Sequence, residues 1–89
     1  MGLAALSETA NRTTVTVYCV QSFWRDRRKL AAGRLRQFKN EADARMAGES
    51  ASRRDAGVIV FAITGNPEAD YWDEPRLLAS YGDVPDLAV

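Results

Sequence analysis

The hydrophobic and polar positions along the chain predict four β-strands. Residues 13–23 are rich in β-branched and aromatic residues that divide between two faces, and the alternation resumes over residues 34–38. Residues 58–63 form a continuous apolar run, which is typical of a central strand buried on both faces. A last strand is predicted at residues 76–81, between turn-forming segments. The first two strands then form a hairpin whose tip is basic.

A helix is predicted between the second and third strands. Asn40 is a good N-cap, and Asp43 follows three residues later as a variant of the capping box. We expect the helix to run for about 15 residues, with cations near its C-terminus and Gly57 ending it in a left-handed conformation. Met46 is the only large apolar residue that it contributes. A stripe of small residues at 3–4 spacing predicts close packing on a sheet: Ala44, Ala47, Gly48 and Ala51.

Together these elements predict an α+β fold in ββαββ order, with a four-stranded, mainly antiparallel sheet and one helix packed on one face. A chain of 89 residues has room for one hydrophobic core. We expect a flexible N-terminus at residues 1–12, one domain at 13–85 and a C-terminal tail at 86–89. The sheet face away from the helix is available for association, and a homodimer would cover apolar residues exposed there.

The formal net charge is zero, but the charge is divided along the chain. Residues 25–54 hold ten basic and four acidic residues, whereas residues 55–89 hold one basic and seven acidic residues. Whether this division becomes a polarised surface depends on the fold, because segments distant in sequence can lie side by side.

The composition indicates a cytoplasmic protein without a cofactor. Cys19 is the one cysteine and there is no histidine, so no intrachain disulfide is possible and the usual zinc ligands are missing. We expect no membrane segment and no signal peptide. No phosphate-binding glycine loop, metal site or catalytic group is recognisable, and the chain is therefore predicted not to be an enzyme.

Several segments resemble a family of short uncharacterised alphaproteobacterial proteins. The most distinctive are the Gly-Asn-Pro-Glu sequence at 65–68 and the Tyr-Gly-Asp-Val-Pro sequence at 81–85, and the resemblance covers nearly all of residues 18–85. The family has no assigned function. The resemblance implies a bacterial or phage-related cytosolic origin and carries no activity over to this chain.

The leading functional hypothesis is a non-enzymatic binding or regulatory module that acts through protein contacts. Tryptophan and tyrosine are frequent binding anchors, and flanking acidic residues favour a basic partner. One concrete form is a phage-type inhibitor, such as an anti-CRISPR protein, by analogy of size and charge. The predicted protein-binding residues are Trp24, Tyr71, Trp72, Asp73 and Glu74.

The alternative is a nucleic-acid-binding module that uses the basic hairpin at residues 25–39. Clustered arginines beside an aromatic ring can hold phosphates while a base stacks on the ring. A solvated hairpin tip is the simpler interpretation of the same run, and the sequence pI of about 6.2 is low for a dedicated nucleic-acid binder. The residues of this alternative site are Arg25, Arg27, Arg28, Lys29, Arg34 and Arg36.

Overall fold

The computed structural model describes residues 14–85. The two predicted terminal segments, 1–12 and 86–89, lie outside the described residues. The elements in chain order are β1 (Val15–Asp26), β2 (Lys29–Phe38), α1 (Glu41–Ala51), β3 (Gly57–Asn66), β4 (Tyr71–Trp72) and β5 (Arg76–Gly82).

The strands form one antiparallel sheet in the order β2-β1-β3, with β4 and β5 both paired to the outer side of β3. The α+β class and the ββαββ order are confirmed, with one helix among residues 14–85. The sheet has a fifth strand that was not predicted, because the two-residue β4 is too short to show a hydrophobic period.

The predicted boundaries need three corrections. β2 begins at Lys29 rather than Arg34, because Arg27 has a φ of 62° and closes a tight turn directly after β1. The helix ends at Ala51, after 11 residues, with no basic residue in its last turn. Gly57 therefore does not cap the helix but starts β3, where a Cβ atom would collide with the Asp83 carbonyl oxygen.

The core lies between α1 and the sheet. Val20, Val58 and Val60 are buried beneath Ala44 and Ala51, as the stripe of small residues predicts. Gly48 completes this close approach, because a Cβ atom there would collide with a Val60 methyl group. The Asn40 cap is also confirmed, since its side-chain oxygen accepts a hydrogen bond from the Asp43 backbone N–H at 2.8 Å.

Met46 contributes nothing to this core, contrary to the prediction, because its side chain is 69% exposed on the outer side of α1. The helix instead packs through Ala44, Ala47, Gly48 and Ala51. Small residues thus set the distance between helix and sheet, and Val58 and Val60 are the largest fully buried side chains.

Candidate functional site

The acidic aromatic loop, defined here as residues 67–75, follows β3 and is held by hydrogen bonds along its length. The Asn66 side-chain oxygen accepts from the backbone N–H groups of Glu68 at 3.0 Å and Ala69 at 3.3 Å. The Asp70 N–H donates to the Pro67 carbonyl, and Asp70 has a φ of 52°, a left-handed conformation that Asp tolerates. The loop then re-enters the sheet as β4, so it has a defined shape.

The Trp72 ring is fixed against the backbone of β3. Trp72 pairs with Gly65, and a Cβ atom on that glycine would lie 2.5 Å from Trp72 Cε3. The ring can occupy this position only because residue 65 has no side chain. Trp72 is nevertheless 42% exposed, so one side of a positioned ring faces solvent.

Tyr71 is also exposed, and its hydroxyl donates a hydrogen bond of 2.8 Å to Asp73 Oδ1. This hydrogen bond, together with the negative charge of Asp73, raises the pKa of the Tyr71 hydroxyl above its usual value. The hydroxyl hydrogen is directed at Asp73 Oδ1. The pair presents an aromatic ring beside a carboxylate.

A shallow depression of about 180 Å³ adjoins this loop. Its lining carries two carboxylates and one guanidinium, so its charge balance is negative. It is wide enough for the end of one side chain of a partner. The lining residues are Ala62, Thr64, Asp73, Glu74 and Arg76.

Trp24, the third predicted protein-binding aromatic residue, does not join Tyr71 and Trp72. Its neighbour Phe23 pairs with Gly57 at the start of β3, whereas Trp72 pairs with Gly65 eight residues further along the same strand. At about 3.3 Å per residue, these positions are about 26 Å apart. The predicted anchors therefore form two separate sites, and Asp73 and Glu74 belong to the site of Trp72.

The predicted basic hairpin is likewise divided by the structure. Arg27, Arg28 and Lys29 are exposed at the tip between β1 and β2. Arg25 lies near this tip but forms an ion pair with Asp83 at 3.2 Å, so part of its charge is neutralised.

Arg34 and Arg36 point away from the tip, toward the helix side of the sheet. A β-bulge in β2, opposite Ser22, places Arg34 on the helix side. Within the bulge, the Gln21 side-chain amide donates a hydrogen bond of 2.9 Å to the Gly33 carbonyl. Arg36 pairs with Val20, a residue of the core under α1. Gly33 thus lies within this bulge.

The arginine cleft, defined by Arg34, Arg36 and Arg54, lies between β2 and the residues that follow α1. Its volume is about 220 Å³. Sequence analysis missed Arg54, because only the position of the helix on the sheet brings residue 54 beside residues 34 and 36. The remaining lining residues are Val20, Ser22, Ala51 and Asp55.

The charge division of the sequence becomes an end-to-end polarity in the fold. The hairpin end is the end at which Asp26 of β1 lies near the start of β3. Its acids are Asp26, Asp55 and Asp83. Its cations are Arg25, Arg27, Arg28, Lys29, Arg53 and Arg54. At the loop end, where β3 reaches Asn66, the loop carries the acids Glu68, Asp70, Asp73 and Glu74 beside Arg76. The end of β2 and the start of α1 add Lys39, Glu41 and Asp43 at the same end. Because the ends are further apart than a Debye length at physiological salt, each presents its own charge to a partner.

Cys19 is buried in β1, and burial raises the pKa of its thiol. Such a thiol is a poor nucleophile. Within residues 14–85 no group of three or more His, Cys, Asp or Glu residues is arranged to hold a metal ion. In the same range no helix is long and apolar enough to cross a membrane.

Comparison with known proteins leaves the chain without an established relative. No protein-family model, no curated protein and no solved structure matches it. The resemblance to an alphaproteobacterial family therefore stays a prediction, and the geometry of the two ends is the basis for the function.

Proposed function

We propose that the protein is a small non-enzymatic binding module that contacts another protein through the acidic aromatic loop. The observation that carries this proposal is the exposure of two rings on consecutive residues of β4: Tyr71, which is hydrogen-bonded to Asp73, and Trp72, which lies against Gly65. Exposed aromatic residues in defined positions are the commonest source of binding energy in protein interfaces.

The order of the loop favours binding, because little conformational freedom remains to be lost when a partner arrives. The Asn66 side chain fixes the start of the loop through two backbone N–H groups. The Asp73 N–H fixes its end by donating to the Thr64 carbonyl at 2.8 Å. Both ring-bearing residues lie between these two points.

The charge around the rings favours a basic partner. Glu68, Asp70 and Glu74 are exposed and flank the aromatic pair, so an approaching cationic surface is attracted and an acidic one is repelled. The depression beside Asp73 and Glu74 would accept an arginine or lysine side chain of that partner. One form of this function is an inhibitor that covers the basic surface of a nucleic-acid-handling protein.

The experiment is quantitative affinity capture from a bacterial lysate with the folded protein and two tryptophan variants. Trp72→Ala removes a ring of the proposed site. Trp24→Ala is the matched control, because that ring is 49% exposed but lies at the opposite end of the sheet. We expect Trp72→Ala to lower recovery of a specific basic partner at least about tenfold, since a buried aromatic anchor contributes about 2 kcal/mol or more.

The control variant should recover the same partner at the wild-type level. Equal recovery by the wild-type protein and Trp72→Ala would contradict the assignment of this loop, provided that circular dichroism shows both proteins folded. If only the Trp24→Ala variant fails to recover the partner, the protein-binding site lies at the hairpin end instead.

A further inference from the structure

The three arginines of the arginine cleft form no ion pair within residues 14–85. The same holds for Arg27, Arg28 and Arg76, but the cleft brings three such arginines together around one depression. Among residues 14–85, Arg25, Arg45 and Arg53 form ion pairs with Asp83, Glu41 and Glu49, respectively. Within that same range no carboxylate oxygen lies within 4.0 Å of the charged nitrogens of the three cleft arginines. Their hydrogen-bond donors are therefore available to an anionic ligand, and guanidinium groups match phosphate oxygens in geometry.

Structural roles explain only part of this cluster. The C-terminal end of α1 carries partial negative charge, which attracts cations such as Arg54. However, the last helix carbonyls already accept hydrogen bonds from backbone N–H groups. The Arg54 N–H, for example, donates to the Ala51 carbonyl at 2.9 Å. Arg36 Cζ lies 5.0 Å from the Phe38 ring centroid, so the guanidinium group lies over the ring, a contact that does not use its hydrogen-bond donors. Three guanidinium groups around one cleft are more than the helix end requires.

An exposed aromatic ring adjoins the cleft on the same face of β1. Ser22 lines the cleft, and Trp24 is the next residue of that strand on the same side. A Cβ atom on Gly33 would lie 2.9 Å from Ser22 Oγ and 3.5 Å from Trp24 Cδ1, so the ring lies over this part of β2. The cleft is therefore followed directly by a surface on which a planar group can stack.

The positive charge continues beyond Trp24 to the tip of the hairpin. From Ser22 to Arg27 the chain advances about 17 Å, at about 3.3 Å per residue. Arg27, Arg28 and Lys29 are exposed at the far end of this path. One phosphate would occupy only the cleft, whereas this length with an aromatic ring in the middle suits several nucleotides of a single strand.

We propose that the arginine cleft binds a phosphodiester group of a single-stranded nucleic acid and that the adjoining base stacks on Trp24. The hairpin tip contacts the following phosphates, and the cleft fixes the position of the strand. This site is independent of the acidic aromatic loop. Asp55 is the one acidic lining residue of the cleft and opposes the ligand.

The test is a fluorescence-anisotropy titration of the full chain with a labelled single-stranded oligonucleotide, at low and near-physiological salt. We expect Arg34→Ala and Arg54→Ala each to raise Kd about tenfold and to lower the salt slope by about one. The matched control is Arg53→Ala, which removes the same charge from the neighbouring position, where Arg53 lies 3.7 Å from Glu49. It should change Kd no more than about twofold.

Two further variants keep the test decisive if an arginine variant folds poorly. Trp24→Ala should weaken binding about tenfold, because the base loses the ring on which it stacks. Asp55→Asn should strengthen binding, because it removes the carboxylate that faces the ligand. Circular dichroism reports folding for each variant.

Each remaining outcome has one meaning. No binding of the oligonucleotide at low salt would overturn the proposal. Equal losses in Arg53→Ala and Arg54→Ala, or losses confined to Arg27→Ala and Arg28→Ala, would overturn the cleft as the site. Inorganic phosphate that competes as strongly as the oligonucleotide would show a site for free phosphate and overturn the nucleic-acid ligand. Trp72→Ala should leave the titration unchanged, which separates this test from that of the protein-binding loop.

Discussion

The two ends of the sheet use the same arrangement of residues in opposite electrostatic surroundings. At the hairpin end Trp24 lies beside Gly33, and at the loop end Trp72 lies over Gly65, with each ring about half exposed. The first ring adjoins the arginine cleft and the second adjoins Asp73 and Glu74. Only at the loop end does the ring need the missing side chain, because a Cβ atom on Gly33 would meet Trp24 at an ordinary contact distance of 3.5 Å. At both ends the neighbouring charges determine which kind of partner the ring contacts.

The largest effect is expected from adding a methyl group to each of these glycines. In Gly65→Ala the new Cβ atom would collide with the backbone carbonyl of Tyr71 and with the Trp72 ring, so β4 must move. We expect the free energy of unfolding to fall by about 2 kcal/mol and partner capture to be lost. Chemical denaturation measures the free energy of unfolding.

Gly33→Ala should cost less than about 1 kcal/mol, because the nearest atom to its Cβ is the Ser22 hydroxyl, which can rotate. Equal destabilisation by Gly33→Ala and Gly65→Ala would contradict the closer approach of the ring to the glycine at the loop end.

Reversal of one charge at each end should give the next largest effect. Glu74→Lys should weaken binding of a basic partner about tenfold, or about 1.4 kcal/mol, and should leave oligonucleotide binding unchanged. Arg54→Glu should weaken oligonucleotide binding and leave binding of the basic partner unchanged. Both residues are exposed, so neither change is expected to alter stability by more than about 0.5 kcal/mol. Each variant is titrated with the basic partner and with the oligonucleotide. A variant that weakens binding of both ligands equally would contradict the separation of the two sites.

The helix between the two ends gives a smaller effect. Gly48→Ala places a methyl group against Val60, at an expected cost of about 2 kcal/mol, while the better helix propensity of alanine returns about 1 kcal/mol. Thermal denaturation should therefore show a net loss of about 1 kcal/mol. The exposed position Ser50→Ala is the control and should not destabilise the protein. A stabilised Gly48→Ala variant would show that helix and sheet are not in close contact there.

The smallest effect concerns the Tyr71 hydroxyl. Its pKa lies above the ordinary value of 10.0, chiefly because it donates a hydrogen bond to Asp73. Asp73→Asn should lower the pKa toward that value, since the negative charge and the strongest acceptor are lost. Tyrosinate absorbance followed with pH, with Tyr71→Phe subtracted, isolates this residue from the other tyrosines. An unchanged pKa would mean that the hydrogen bond does not form in solution.

Local signals in the sequence were sufficient to predict the frame of the fold. The apolar run at residues 58–63 lies within β3, and the Asn40 cap and the small-residue stripe gave the start and the packing face of α1. The last strand was predicted almost to its ends. Each of these features depends on neighbours in the chain, which a single sequence contains.

The features that were missed depend on contacts between distant segments. Gly57 has the composition of a helix C-cap, but its lack of a side chain allows the Asp83 backbone to approach β3. Arg54 joins Arg34 and Arg36 only because α1 crosses the sheet at one position. The separation of Trp24 from Trp72 likewise follows from the register of β1, β3 and β4.

The most direct test of the central claim is one anisotropy titration with three proteins, the wild type, Trp24→Ala and Trp72→Ala, against the same single-stranded oligonucleotide. If the two ends act independently, Trp24→Ala raises Kd about tenfold and Trp72→Ala leaves Kd unchanged. Equal losses in both variants, or a loss only in Trp72→Ala, would contradict the assignment of nucleic-acid binding to the hairpin end.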